Sequence, residues 1–230
     1  MLSTMPGLDW KRRRALARTS EGPLHDYLAT PPPSRRRDCR ETDFVALDLE
    51  TSGIDAEADD ILSVGLVHLR GDRLDLASHR HWLVRPRSRL REESVVVHGL
   101  TDDAVAHGLP LATVLSWVLS ELAGRVLVAH HAPFERAFLD RACRSVYGGP
   151  FLAPMVDTQR LEQQRRERRG LPLRREDLRL GAVRSAYGLP RHRAHDALAD
   201  AIAAGEVWLA QWANMAGNGR LPLRSVLSRP

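Results

Sequence analysis

A mixed α/β domain, built on a central sheet with helices on both faces, is the fold class this sequence predicts. Three observations carry the prediction. Apolar runs of strand length crowd the segment after residue 43, apolar residues at helical spacing fill the segment after residue 110, and one short apolar run lies between two helical stretches. Residues 44–50 (FVALDLE) are apolar, end in acids and read as a buried strand. Residues 61–69 and 74–84 read as a second and third strand, with Gly71-Asp72 as the turn between them. Leu111, Val114, Leu115, Val118, Leu119 and Leu122 fall on one face of a helix. Residues 126–129 (VLVA) form a short buried strand after Gly124. Residues 134–146 are a helix, with Pro133 in its first turn and Gly148-Gly149 ending it. Polar residues 157–169, residues 178–187 and the alanine-rich stretch 196–212 are three further helices. No internal repeat is present.

The chain has 230 residues, and its 43% hydrophobic content is enough for a core, which excludes a wholly disordered chain. Residues 43–215 hold the patterned region. Residues 1–42 carry Lys11-Arg12-Arg13-Arg14, Pro31-Pro32-Pro33 and Arg35-Arg36-Arg37, and predict a mostly irregular basic arm, with room for a short helix over residues 10–17. That arm reads as a solvated tail or a packing arm, with contact to nucleic acid as the alternative. Residues 216–230 predict a loosely ordered tail. No apolar run reaches membrane-spanning length, and the amino-terminal residues lack the apolar stretch of a secretory signal, so a cytoplasmic location without membrane attachment is expected. Cys39 and Cys143 are too few for a disulfide framework or a cysteine-rich zinc site. The net charge is +5 and Lys11 is the only lysine, so the cations are nearly all guanidinium groups. A biased genome accounts for this, and it also permits phosphate binding.

Three short segments carry chemistry. Side chains two apart on a strand share a face, so Asp48 and Glu50 point one way and Leu49 the other. Two such carboxylates are unfavourable unless a cation joins them, and hard oxygen ligands suit Mg²⁺ or Mn²⁺. A strand end that meets solvent explains the same pattern. Thr51-Ser52-Gly53 follows as a polar turn whose backbone N–H groups can face a ligand. Next, His130-His131-Ala132-Pro133-Phe134-Glu135 closes a strand and opens a helix, placing Glu135 in the first turn near the positive end of the dipole. Helix-capping acidity is the plainer reading, and adjacent histidines rarely converge on one transition metal. Finally, His195-Asp196-Ala197-Leu198-Ala199-Asp200 opens the last helix, where small alanines let the helix lie close to a sheet and Asp200 is an odd inward residue unless a metal explains it.

Taken in order, Asp-x-Glu-Thr-Ser-Gly, His-x-Ala-x-x-Glu and His-x-Ala-x-x-Asp-Ala resemble the three motifs of the DEDDh, or DnaQ-like, 3′–5′ exonucleases, the family of the proofreading epsilon subunit of bacterial DNA polymerase III. The resemblance covers about residues 43–212. His98-Gly99-Leu100-Thr101 and Asp157-Thr158 resemble two further family features. The resemblance implies a ribonuclease-H-like fold and hydrolysis of terminal phosphodiesters to nucleoside 5′-monophosphates by a two-metal mechanism. It implies that Asp48, Glu50, Glu135 and Asp200 hold two divalent ions, Mg²⁺ or Mn²⁺. Glu50 also lies near the substrate end, and His195 is the general base. Thr51, Ser52, Gly53 and His98 are the expected substrate contacts. Glu135 departs from the family, which carries Asp there. A second register starting at His192 would put Ala197 where the acid belongs, so His195 is the family histidine. The expected partner is single-stranded or 3′-end nucleic acid, DNA before RNA, within a polymerase or repair context. RNA trimming and a non-catalytic binding module are the alternatives. A nucleotidyl-transfer or phosphatase reading lacks a phosphate-cradling glycine loop.

Overall fold

In the computed structural model, residues 7–87, 105–217 and 219–228 are described. Five strands form one sheet: β1 (Asp43–Thr51), β2 (Ile61–Arg70), β3 (Arg73–Leu83), β4 (Val126–Ala129) and β5 (Met155–Asp157). Their order is β3-β2-β1-β4-β5. β1, β2 and β3 pair antiparallel, whereas β4 pairs parallel to β1 and β5 parallel to β4. The β2–β3 hairpin turns at Gly71, whose φ of 57° suits glycine. The sequence reading lacks β5. Three residues are too few to show a periodicity, and this strand exists because β4 offers it an edge.

β1 sorts its side chains by alternation. Val45, Leu47 and Leu49 enter one core, against α3 (Leu111–Leu122) and α4 (Ala132–Tyr147). Phe44 and Ala46 enter the other, against α7 (Ala197–Ala216), where the Trp208 ring lies 5.2 Å from that of Phe44 at a tilt of 54°. Between them in the chain lie α5 (Thr158–Arg168) and α6 (Leu180–Ala186).

Both ends of the chain depart from expectation. Residues 8–29 are not an irregular arm but two helices, α1 (Leu8–Leu16) and α2 (Pro23–Ala29), and Leu24, Tyr27 and Leu28 join the first core. The arginine run misleads because Arg12 shares a helical face with Leu8 and Ala15 and is itself buried. Its guanidinium donates to the carbonyls of Tyr27, Leu28, Thr30 and Leu152, which satisfies the charge without a carboxylate. Nor is the tail loose. Leu221, Leu223 and Val226 are buried in the second core, and the tail pairs with residues before β1 through Cys39 N to Leu221 O and Leu223 N to Arg37 O, both 2.9 Å.

One glycine sets how close α7 comes to the sheet. Gly65 of β2 stands opposite Asp48 in the β1–β2 register, and a Cβ there would lie 2.2 Å from the Ala197 carbonyl carbon and the Leu198 nitrogen. Those are backbone atoms of the first turn of α7 and cannot swing aside. Gly65→Ala is therefore expected to destabilise the fold by about 3 kcal/mol, the upper range for overpacking, and to displace α7 from β1. Urea unfolding would measure it; a loss below about 0.5 kcal/mol would contradict the close approach.

Candidate active site

Asp48 and Glu50 continue the Phe44–Ala46 face of β1 beyond the point where apolar residues cover it. α7 begins above them. Asp196 caps that helix by accepting from Ala199 N at 3.0 Å, and Asp200 follows one turn in. Carboxylate oxygens of Asp48, Glu50 and Asp200 lie within 4.8 Å of one another. Glu135, in the first turn of α4 and 2% exposed, stands behind Asp48. The cluster opens into a cleft of about 1260 Å³ lined by Asp48, Asp200, His130, His131, His192 and His195, together with the residues around α6.

The electrostatics are those of crowded acids. Burial, and then the charges of Glu135, Asp200, Glu50 and Asp196, push the Asp48 carboxyl well above the ordinary carboxylate range. Burial, then Asp200 and Asp196, push Glu50 up to about 7. Glu135 is also raised well above its usual value, first by burial; a hydrogen bond from its own backbone N–H opposes this and Asp157 reinforces it. Glu135 Oε2 is buried with no hydrogen-bond partner among the described residues. An orphaned buried oxygen beside three converging carboxylates is a set of hard donors short of positive charge. It fits a divalent cation, so this cluster is able to bind metal.

The histidines divide by role. His130 Nε2 lies 2.8 Å from Leu178 O, a carbonyl that only accepts, so the proton sits on Nε2 and Nδ1 faces Thr158 Oγ1 at 2.8 Å. Burial holds the His130 pKa down. Both ring nitrogens are thus engaged in tying the cleft wall to the end of β4. His131 Nδ1 lies 2.8 Å from Gln159 Oε1. His195 is exposed on the cleft, and its backbone N–H donates to Asp200 Oδ2 at 2.7 Å. The ring on Asp200 belongs instead to His192, whose Nε2 is 2.7 Å from Oδ1. Among the described residues, only His131 and His195 are non-glycine residues with positive φ, 80° and 65°. Such backbone costs about 1–3 kcal/mol each and is a mark of functional sites. Both precede the helices that carry Glu135 and Asp200.

The turn after β1 closes on itself. Thr51 Oγ1 donates to Gly53 O, Ser52 Oγ accepts from Asp60 N at 2.9 Å and donates to Asp59 Oδ1 at 3.2 Å, and Ser52 N donates to Asp60 O. A Cβ on Gly53 would meet the Asp59 carboxylate at 2.3 Å, so glycine makes room for that acid. The Ser52 groups are therefore engaged within the loop. His98 lies outside the described residues. The sequence reading sets His192 aside as a neighbour of His195 and gives Asp196 and Asp157 no contact of their own. Asp157 caps α5 by accepting from Gln159 N and Arg160 N and also receives His131 N at 3.1 Å. An acid just before a helix was the available signal for both aspartates.

A mixed β3-β2-β1-β4-β5 sheet with an acid pair on its central strand and a helix-borne acid above it defines a ribonuclease-H-like nuclease fold. The family described as Exonuclease matches residues 45–208, and the chain belongs to it. Among curated relatives, a PolC-type DNA polymerase III from Thermotoga maritima is 30% identical over 166 residues, 72% of this chain but 12% of its own length. The DNA polymerase III epsilon subunit of Treponema pallidum is 30% identical over 159 residues, 69% of this chain and 71% of that protein. Of solved structures, E. coli exonuclease I with an oligonucleotide superposes at a TM-score of 0.64 with 15% identity, covering 76% of this chain and 41% of that one. Exonuclease X in complex with 5′ overhanging duplex DNA superposes at 0.60 with 18% identity, covering 80% and 98%. These structural likenesses concern the fold. No helix among the described residues is long and apolar enough to cross a membrane.

The raised carboxyls make stability depend on pH. A carboxyl whose folded-state pKa is raised binds its proton more tightly in the folded chain, so its contribution is present below the ordinary value of 4.5 and is lost as pH rises through about 7. In EDTA, the melting temperature should fall between about pH 5 and pH 8, and Glu50→Gln should flatten that fall. Each kcal/mol is worth about 2–4 °C for a chain of this size. Equal slopes for the two proteins in thermal melts would contradict the strained cluster.

Proposed function

We propose that this exonuclease-family chain removes nucleotides from the 3′ end of single-stranded or frayed DNA, releasing nucleoside 5′-monophosphates. The observation that carries the reading is the convergence of Asp48, Glu50 and Asp200 in an open cleft, with Glu135 buried behind them. Asp48, Glu50, Asp200 and Glu135 would hold Mg²⁺ or Mn²⁺. When bound, two such ions would supply the positive charge that offsets the negative charge of the phosphodiester and lets water attack it near neutral pH.

The chain's own groups do the rest. The carboxylates fix where the terminal phosphate sits, with Glu50 near the substrate's terminal end. A ring nitrogen of His195, exposed on the cleft, takes the proton of the attacking water, and the leaving 3′-oxygen departs with the shortened strand. The strained backbone at His195 and the bond from its N–H to Asp200 hold this residue, by its backbone, beside the acid cluster. The polar turn at Thr51, Ser52 and Gly53 borders the site, and His98 is a further substrate contact. The names of the curated relatives favour DNA and a polymerase or repair assembly as partner. Two buried free cysteines and a nucleic-acid substrate favour the cytoplasm.

The test is purified protein on end-labelled DNA and RNA oligonucleotides. Mg²⁺ or Mn²⁺ should support stepwise loss from the 3′ end, and EDTA should abolish it. Full activity in EDTA would rule out the metal reading, and faster cleavage of RNA would reassign the substrate.

A second reading has one specific observation behind it: the ring on the Asp200 carboxylate is that of His192, whereas His195 reaches it through its backbone N–H. Asp200 would hold a cation through the same carboxylate, so the His192 ring would compete with that ion, whereas the exposed His195 ring would not. His195→Gln should therefore lower kcat by about 10²–10⁴-fold, and His192→Gln by less than about tenfold. Mn²⁺ affinity, measured by calorimetry, should survive in both. The reverse order of rate losses would move the base to His192.

A further inference from the structure

Beside the cleft stands a loop with no role in the site just described. Residues 167–176 (ERRGLPLRRE) run from the end of α5 to the short turn Glu176–Leu178. Gly170, at φ 64°, ends the helix, and Leu171 N donates back to Arg166 O at 3.0 Å. Arg166 then pins the loop from inside. Its Nε and Nη2 donate to Pro172 O at 3.0 and 2.7 Å, and Nη2 meets Asp177 Oδ2 at 2.6 Å. At the far end, Leu178 O receives His130 Nε2, and Glu176 and Arg179 line the cleft itself. The loop is thus a fixed extension of the cleft wall.

What it displays is unusual for a fixed loop. Leu171 and Leu173 are 42% and 45% exposed. Arg168, Arg169, Arg174 and Arg175 flank them, all exposed, and none forms an ion pair or side-chain hydrogen bond among the described residues. Three neighbouring arginines, by contrast, are matched: Arg165 to Glu162, Arg166 to Asp177 and Arg184 to Glu206. Four like charges held together repel, and two apolar side chains in water gain nothing. A nucleic-acid strand answers both, because it offers phosphates at regular intervals with sugar and base faces between them.

We infer that residues 168–175 form a second contact for the substrate strand, upstream of its hydrolysed end. The four arginines bind phosphates, and Leu171 and Leu173 rest on sugars and bases. Continuity with the cleft through Arg179 sets the strand being degraded above any other anionic partner. The inference rests on the exonuclease reading for its direction, while its binding test does not need catalysis.

The experiment compares the wild type with a variant carrying Arg168→Ser, Arg169→Ser, Arg174→Ser and Arg175→Ser. Binding of a fluorescent 20-nucleotide single strand is followed by anisotropy in EDTA. Hydrolysis of the p-nitrophenyl ester of thymidine 5′-monophosphate, which occupies only the cleft, is followed with Mn²⁺. The variant should bind the strand at least about tenfold more weakly at 150 mM salt, and its log Kd should depend on log salt less steeply by about 3, from about 0.7 per lost phosphate contact. Its turnover of the small ester should match the wild type, as should its melting temperature. Leu171→Ser with Leu173→Ser should weaken binding and leave the salt slope unchanged. Unchanged strand affinity and slope in the arginine variant overturn the inference and leave this face to an acidic protein. If the wild type binds the strand through the loop but hydrolyses neither substrate, the loop stands and the exonuclease reading falls.

Discussion

A carboxylate withdrawn from water requires either a proton or a cation, and the end of β1 imposes that choice on several acids at once. Asp48 and Glu50 share a strand face, α7 lowers Asp200 onto them, and Glu135 closes the rear. The His192 ring and the His195 N–H answer part of the charge at Asp200, and the rest of the repulsion falls on the packing. The packing on both sides of the sheet has to hold these groups in place, and the acids in turn fix which ligands the cleft can receive.

Small residues make that arrangement possible. Gly65 removes a side chain where α7 meets β2, and buried Ala197, Ala201, Ala204 and Gly205 keep the contacting face of the helix thin. Trp208 and Trp212, farther along the same helix, supply the apolar contact that holds it down. The helix is therefore anchored at one end and functional at the other. A similar division holds for α4, where Phe138, Leu139 and Ala142 seat the helix and its first turn carries Glu135.

Much of this was legible in the sequence. Period-two alternation through Asp48 and Glu50, and the helical spacing of Leu111 to Leu122, report directly on which side chains are buried, because burial is what creates those patterns. Asp48 and Glu50 stood out as a like-charged pair ending an apolar strand and Asp200 as an odd inward acid, whereas Glu135 read first as helix-capping acidity and was singled out only through the order of the three motifs. Other features left no such trace. Arg12 is satisfied by carbonyls from two other segments, residues 27–30 and Leu152, and no local pattern announces a charge that the backbone will satisfy. Pairing of the tail with residues 35–39 is set by segments about 180 residues apart, beyond any window of periodicity. Which histidine lies on Asp200 depends on the backbone path between residues 190 and 196, where His192 and His195 are three positions apart and only geometry separates them.

The paired ends of the chain distinguish two units usually treated as one. Kinship with other exonucleases is recorded in residues 45–208, which contain the strands and the acids. Those residues do not contain their own walls: Leu24, Tyr27 and Leu28 cover one core from before the first strand, and Cys39, Leu221, Leu223 and Val226 seal the other from both termini. What is inherited as a recognisable motif is therefore smaller than what folds. The outer casing carries no chemistry yet decides whether the inner part stays dry.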